Sequence, residues 1–162
     1  MAVSETIVRE YFELHDFFVR QNRKHIAPKR EDDEIDFYVH NPNGPTDGGE
    51  VPFVLENARD LETLTRAVVV VKAWHTEVFT QAVLAHAPEM FRFAGPETFA
   101  RATNAFGGPG PLTKILVIPA LPTSGEARQQ SIDLLHSKGI DAVIPFRTML
   151  SDLIEHIEVN RN

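Results

Sequence analysis

Two residues of opposite charge sit at strand-like ends of this chain: Asp36 in Glu34-Ile-Asp-Phe-Tyr-Val39, and Lys72 in Ala67-Val-Val-Val-Val-Lys-Ala-Trp74. Four consecutive Val residues read as a strand covered on both faces, so a Lys that continues it must reach a pocket, a partner charge or the sheet edge. An Asp and a Lys projected from adjacent strands form the skeleton of a metal-dependent phosphodiesterase site. Trp74, close behind Lys72, could stack on a base or line the pocket, although a Trp at a strand end is more often a packing residue.

These residues need a scaffold, and the sequence outlines one. Ser4 can cap a first helix running to about Asn22, with Glu5 at its positive end and Ile7, Tyr11, Leu14 and Phe18 at helical spacing. Pro28 and a charged run break it before a strand at 34–40. The stretch 41–49 is dense in turn formers and reads as a long, mobile connection. Val51–Glu56 is a plausible short strand, restricted by Pro52 to an edge or a strand start, and the Val-rich strand 67–74 follows. Helices are expected over 76–87 and from Pro96 to about 104. A core strand is expected at 114–121, a helix over 125–138 ended by Gly139, a strand at 140–146, and a last helix presenting Leu150, Leu153, Ile154 and Ile157. Helix, three strands, helices, strand, helix, strand, helix make an α/β domain with a central mixed β-sheet flanked by helices.

That order, with Asp36 opening one strand and Val-Val-Lys-Ala-Trp closing another, resembles the PD-(D/E)XK nuclease superfamily over roughly residues 5–157. The resemblance implies a restriction-endonuclease-like fold and Mg2+-dependent cleavage of DNA. Carried over, Asp36 is the first metal ligand, Lys72 the charge-stabilising Lys, and Val70 stands where the second acid belongs. The chemistry explains why that set is needed. Mg2+ takes hard oxygen ligands, commonly one or two carboxylates with water and phosphate oxygens. Held so, it activates water and stabilises the entering and leaving oxygens, while the Lys faces the developing negative charge. Val cannot do a carboxylate's work, so a migrated acid must supply it. Glu56 is the first candidate, with Glu10, Glu13 and Glu77 behind it, and Gln81 resembles the polar helix residue of some family members. The resemblance leaves two readings open. One is an endonuclease using Lys72, Asp36 and Glu56; the other is a non-catalytic protein- or nucleic-acid-binding module in which Val70 records the lost acid.

At 162 residues, without a Pro/Gly/Ser tract that splits it, the chain reads as one domain over 1–162. It has no Cys, which excludes disulfides, thiolate metal sites and Cys nucleophiles. No apolar run approaches the length of a membrane span and no signal-like start is present, so a cytoplasmic location is the expectation. The net charge of −7 opposes binding to phosphate polymers. Charge is uneven, however: Arg20, Arg23, Lys24, Lys29 and Arg30 are followed by Glu31, Asp32, Asp33, Glu34 and Asp36. That run is either solvated or a phosphate-facing patch beside acids, so DNA stays a candidate partner, as does a homodimer. His75-Thr-Glu77 lacks the Cys pair of a zinc deaminase, the seven His show no paired ligand spacing, and Gly107-Gly-Pro-Gly-Pro lacks the Gly-Lys-[Ser/Thr] of a phosphate loop. Pro119–Pro122, ending a core strand, sits where open α/β sheets place ligand crevices.

Overall fold

The first helix, α1 (Val3–Leu14), is shorter than its apolar spacing suggests. Asp16 adopts a left-handed backbone, φ 66°. Its N–H donates to Glu13 O (3.0 Å), and the Phe17 N–H donates to Phe12 O (3.0 Å). This is a Schellman ending with Asp where Gly is usual, and the Phe12 and Phe17 rings, 5.3 Å apart, supply the apolar contact that accompanies it. The chain therefore reverses, and Phe18, read as helical, opens strand β1 (Phe18–Gln21).

The computed structural model describes residues 3–22, 35–72, 78–86 and 88–159. After β1 come β2 (Phe37–His40), α2 (Ala58–Leu61), β3 (Arg66–Val71), α3 (Gln81–Ala85) and a 3-10 helix, Pro88–Ala94. These are followed by α4 (Pro96–Ala105), β4 (Thr113–Ile118), α5 (Gly125–Ser137), β5 (Ala142–Pro145) and α6 (Phe146–Val159). The strands lie in the order β1-β2-β3-β4-β5. β1, β2 and β3 are antiparallel neighbours, while β3, β4 and β5 run parallel, so the sheet is mixed as expected.

The expected strand at 51–56 is reduced to one bridge, Val54 to Val143, flanked by Leu55 N–H to Val143 O (2.9 Å) and Val143 N–H to Phe53 O (2.7 Å). It covers the outer edge of β5, an edge position as Pro52 requires. Pro52 has no N–H to extend a ladder, which keeps the pairing this short. The 41–45 turn is anchored: Asn41 takes the Asn43 N–H on its side-chain oxygen (3.0 Å) and gives its amide to Leu64 O (3.0 Å).

Alternation along the strands divides the core in two. Phe37, Val39, Val69, Val71, Ile115 and Val117 face α1 and α6 through Val8, Phe12 and Met149. Val68, Val70, Leu116, Ile118 and Val143 face the other helical layer through Phe79, Leu84, Phe93 and Leu135. The Val run is thus buried on both faces, as a central strand in a three-layer arrangement requires. Local signals set the helix ends. Ser124 caps α5 by accepting the Ala127 N–H (3.2 Å), Thr80 caps α3 by accepting the Val83 N–H (3.2 Å), and Gly139 takes φ 90° after α5. Among the described residues, no helix is long and apolar enough to cross a membrane.

Candidate functional site

Asp36 and Lys72 meet at one end of the β2–β3 pair. The ladder that sets Phe37 against Val69 puts Asp36, the next residue, beside Val70. Pairing slips there by one residue, because the Asp36 N–H donates to Val69 O (2.9 Å). The slip lets a carboxylate oxygen of Asp36 accept the Val71 N–H at 2.7 Å. Asp36 is 7 % exposed, so its charge is held in a nearly dry strand end by a backbone donor. One residue further, the Lys72 N–H donates to Val117 O (2.8 Å), tying the end of β3 to β4, and the Lys72 side chain is half-buried.

Val70 completes the picture. It is 0 % exposed and packs with Ile35, Phe79 and Phe93. The position where the resemblance expects an acid is therefore a core position, and an oxygen ligand there would displace apolar contacts.

The other nominated residues are dispersed. Glu56 lies beyond the edge of β5, separated from Asp36 by β3, β4 and β5, roughly 19 Å at the usual interstrand spacing. Its N–H donates to the Asp60 carboxylate (2.8 Å), and its own carboxylate meets Arg128 at 3.4 Å. Those contacts link the 53–56 segment to α2 and α5, and the Glu56 side chain is exposed. Glu13 pairs with Arg9 on the outer surface of α1 (3.1 Å), and Glu10 is exposed on the same helix. Gln81 opens the five-residue α3, also exposed. Trp74 and Glu77 lie outside the described residues. The segment after β4 is occupied by packing, with Leu121 buried and the Phe79 N–H bonded to Ala120 O (2.9 Å). Among the described residues, no three His, Asp or Glu side chains come together as a metal-binding group.

A second polar cluster was not foreseen. His15 Nε2 lies 2.6 Å from an oxygen of Asp152, and His156 Nδ1 lies 3.7 Å from the other. The two imidazoles meet edge to face at 5.8 Å, and Tyr11 packs edge to face on His15 at 5.0 Å. Burial, and then the charges of Asp152 and Asp60, hold the Tyr11 phenol well above its ordinary range. This cluster fastens α6 to α1. His15 also lines a cleft of about 850 Å3 bounded by Asp16, Asn41, Arg59, Glu62 and Thr63. The only local sequence signal for it is Asp152 and His156 at i, i+4; their meeting with His15, 137 residues from Asp152, comes from tertiary packing.

Compared with family models, curated proteins and solved structures, the chain finds no match.

Proposed function

We propose that the chain is a non-catalytic binding module built on a restriction-endonuclease-like frame, with a protein as its partner. One observation carries this reading: Val70, beside Asp36 at the strand end, is fully buried in an apolar cluster, while the Asp36 carboxylate is engaged by the Val71 N–H. A hydrolytic site of this class needs oxygen ligands converging on one metal ion, and among the described residues this strand end offers one carboxylate, bonded to the Val71 N–H. The donor set among the described residues does not fit Mg2+, so no catalytic step is derived through it. In this reading Asp36 has become a structural acceptor that closes the β2–β3 ladder, and Lys72 ends β3. The net charge of −7 favours a protein over a polyanionic nucleic acid, because few phosphate counterions would be released on binding.

The Mg2+-dependent endonuclease is the second reading, favoured by Asp36 and Lys72 ending neighbouring strands. Isothermal titration of Mg2+ and Mn2+ into the protein, beside Asp36→Ala, separates the two. The binding module predicts no metal-dependent heat at millimolar ion and no cleavage of duplex DNA with Mn2+. Saturable binding that disappears in Asp36→Ala, together with DNA cleavage lost in Lys72→Ala, would establish the endonuclease instead.

A further inference from the structure

Five of the eight large apolar side chains exposed among the described residues lie on two packed helices: Val3 and Leu14 on α1, and Ile154, Ile157 and Val159 on α6. They are not scattered. Val3, Ile7, Glu10 and Leu14 form one stripe of α1 at helical spacing, and Leu153 and Ile157 are one turn apart on α6. Between the helices runs a groove of about 580 Å3, with Ile7, Leu14, Leu153 and Ile157 among its lining residues. Ile7 and Leu153 also pack on the core, so the apolar floor is continuous with the interior. Clustered apolar surface of this kind marks an interaction surface, whereas isolated exposed Leu or Ile residues do not.

Charge decides what fits. Glu10 and Glu13 lie along the α1 wall. Over its length α1 carries Glu5, Glu10 and Glu13 against Arg9, and α6 carries Asp152, Glu155 and Glu158 against Arg147. Both helices are therefore net acidic, and the acids that line the groove itself, Glu10 and Glu13, stand on the α1 wall, facing Leu153, His156 and Ile157 of α6. A second copy of this chain would bring the same acidic helices against them, which costs free energy at every close like-charged pair. A cationic helix satisfies both features.

We propose that the α1–α6 groove docks an amphipathic helix of a protein partner, its apolar stripe seated on Ile7, Leu14, Leu153 and Ile157 and flanked by Lys or Arg facing Glu10, beside the Arg9–Glu13 pair. This is the helix-in-groove mode, in which apolar residues one turn apart provide affinity and rim charges provide orientation and rate. The proposal rests on the binding-module reading only in taking a protein as the partner, and its surface is separate from the Asp36 strand end.

The probe is a fluorescein-labelled synthetic helix of about 18 residues built from Leu and Lys, beside a Leu/Glu peptide of the same apolar pattern, titrated by fluorescence anisotropy. The Leu/Lys peptide is expected to bind more tightly than the Leu/Glu peptide. Ile157→Ser, at a side chain 66 % exposed and so dispensable to the fold, should weaken binding about tenfold. Glu10→Lys should weaken it several-fold and flatten its salt dependence. Circular dichroism of each variant confirms that the fold is kept. Equal affinity for the two peptides, no binding of either, or affinity unmoved by both substitutions would overturn the proposal. Sedimentation velocity showing self-association of the wild type that Ile157→Ser abolishes would also overturn it, assigning the face to a second copy. Metal binding lost in Asp36→Ala would sink the binding-module reading without changing the anisotropy, so the two failures are distinguishable.

Discussion

Asp36 is the residue on which the two functional readings turn, and its carboxylate accepts the Val71 N–H. The 2.7 Å bond from the Val71 N–H is charge-assisted and nearly dry, which makes it stronger than a neutral bond between exposed groups. Asp36→Ala leaves the Val71 N–H without that acceptor and should cost about 1.5–3 kcal/mol in urea denaturation. Asp36→Asn retains an oxygen at the same place and should cost less. Equal stability of wild type and Asp36→Ala would show that the carboxylate contributes nothing to closing the ladder. Asp36 and Lys72 were legible in the sequence because each sits at the end of an apolar, β-branched or aromatic run. The slip that aims the Asp36 carboxylate at Val71 was not, because it depends on where the β2–β3 pairing ends.

At the scale of elements, the sheet explains why Glu56 and Asp36 stay apart. Pro52 limits the 53–56 segment to a bridge on the outer edge of β5, while Asp36 stands on the far side of β3. Pro52 pointed to an edge, as found, but composition marks a segment as strand-like without saying which neighbour it pairs with or for how long. The opposite edge is held by β1, which helical spacing at Phe18 had hidden; the left-handed Asp16 and the Phe12–Phe17 contact turn the chain out of the helix after Leu14. A substitution at β3 tests what this architecture permits. Val70→Asp places a carboxylate among Ile35, Phe79 and Phe93 and should destabilise the fold by at least ~3 kcal/mol, read as a fall in the thermal midpoint. The midpoint should not recover in 10 mM Mn2+. Recovery specific to that variant would show that Asp36 can still serve as half of a metal site.

For the whole molecule, two helical layers clamp the sheet, and the α1–α6 layer carries both the His15–Asp152–His156 cluster and the acidic apolar groove. Tyr11 reports on that layer's integrity through pH. Burial and the Asp152 and Asp60 charges raise its pKa in the folded state above the unfolded value of about 10. The folded protein therefore keeps the phenolic proton when the unfolded chain releases it. The resulting stability is fully present below about pH 10 and declines as pH rises above it, towards the folded pKa. Urea midpoints between about pH 9 and 11 should fall more steeply for wild type than for Tyr11→Phe. Parallel slopes would show that Tyr11 ionises alike in both states.

The sequence by itself determined the α/β class, the mixed sheet, the central Val strand, the span of α5 and its Gly139 stop. Each follows from residues a few positions apart, whose periodicity and hydrogen-bonding capacity act locally. It also determined that Val70 supplies no ligand. Only the tertiary structure decided that β1 exists as a strand, that Glu56 lies across the sheet from Asp36, that His15 and His156 share Asp152, and that an acidic apolar groove separates α1 from α6. Those outcomes depend on which strand edges and helix faces meet. That choice minimises exposed apolar surface over the whole chain, so no local window of residues encodes it.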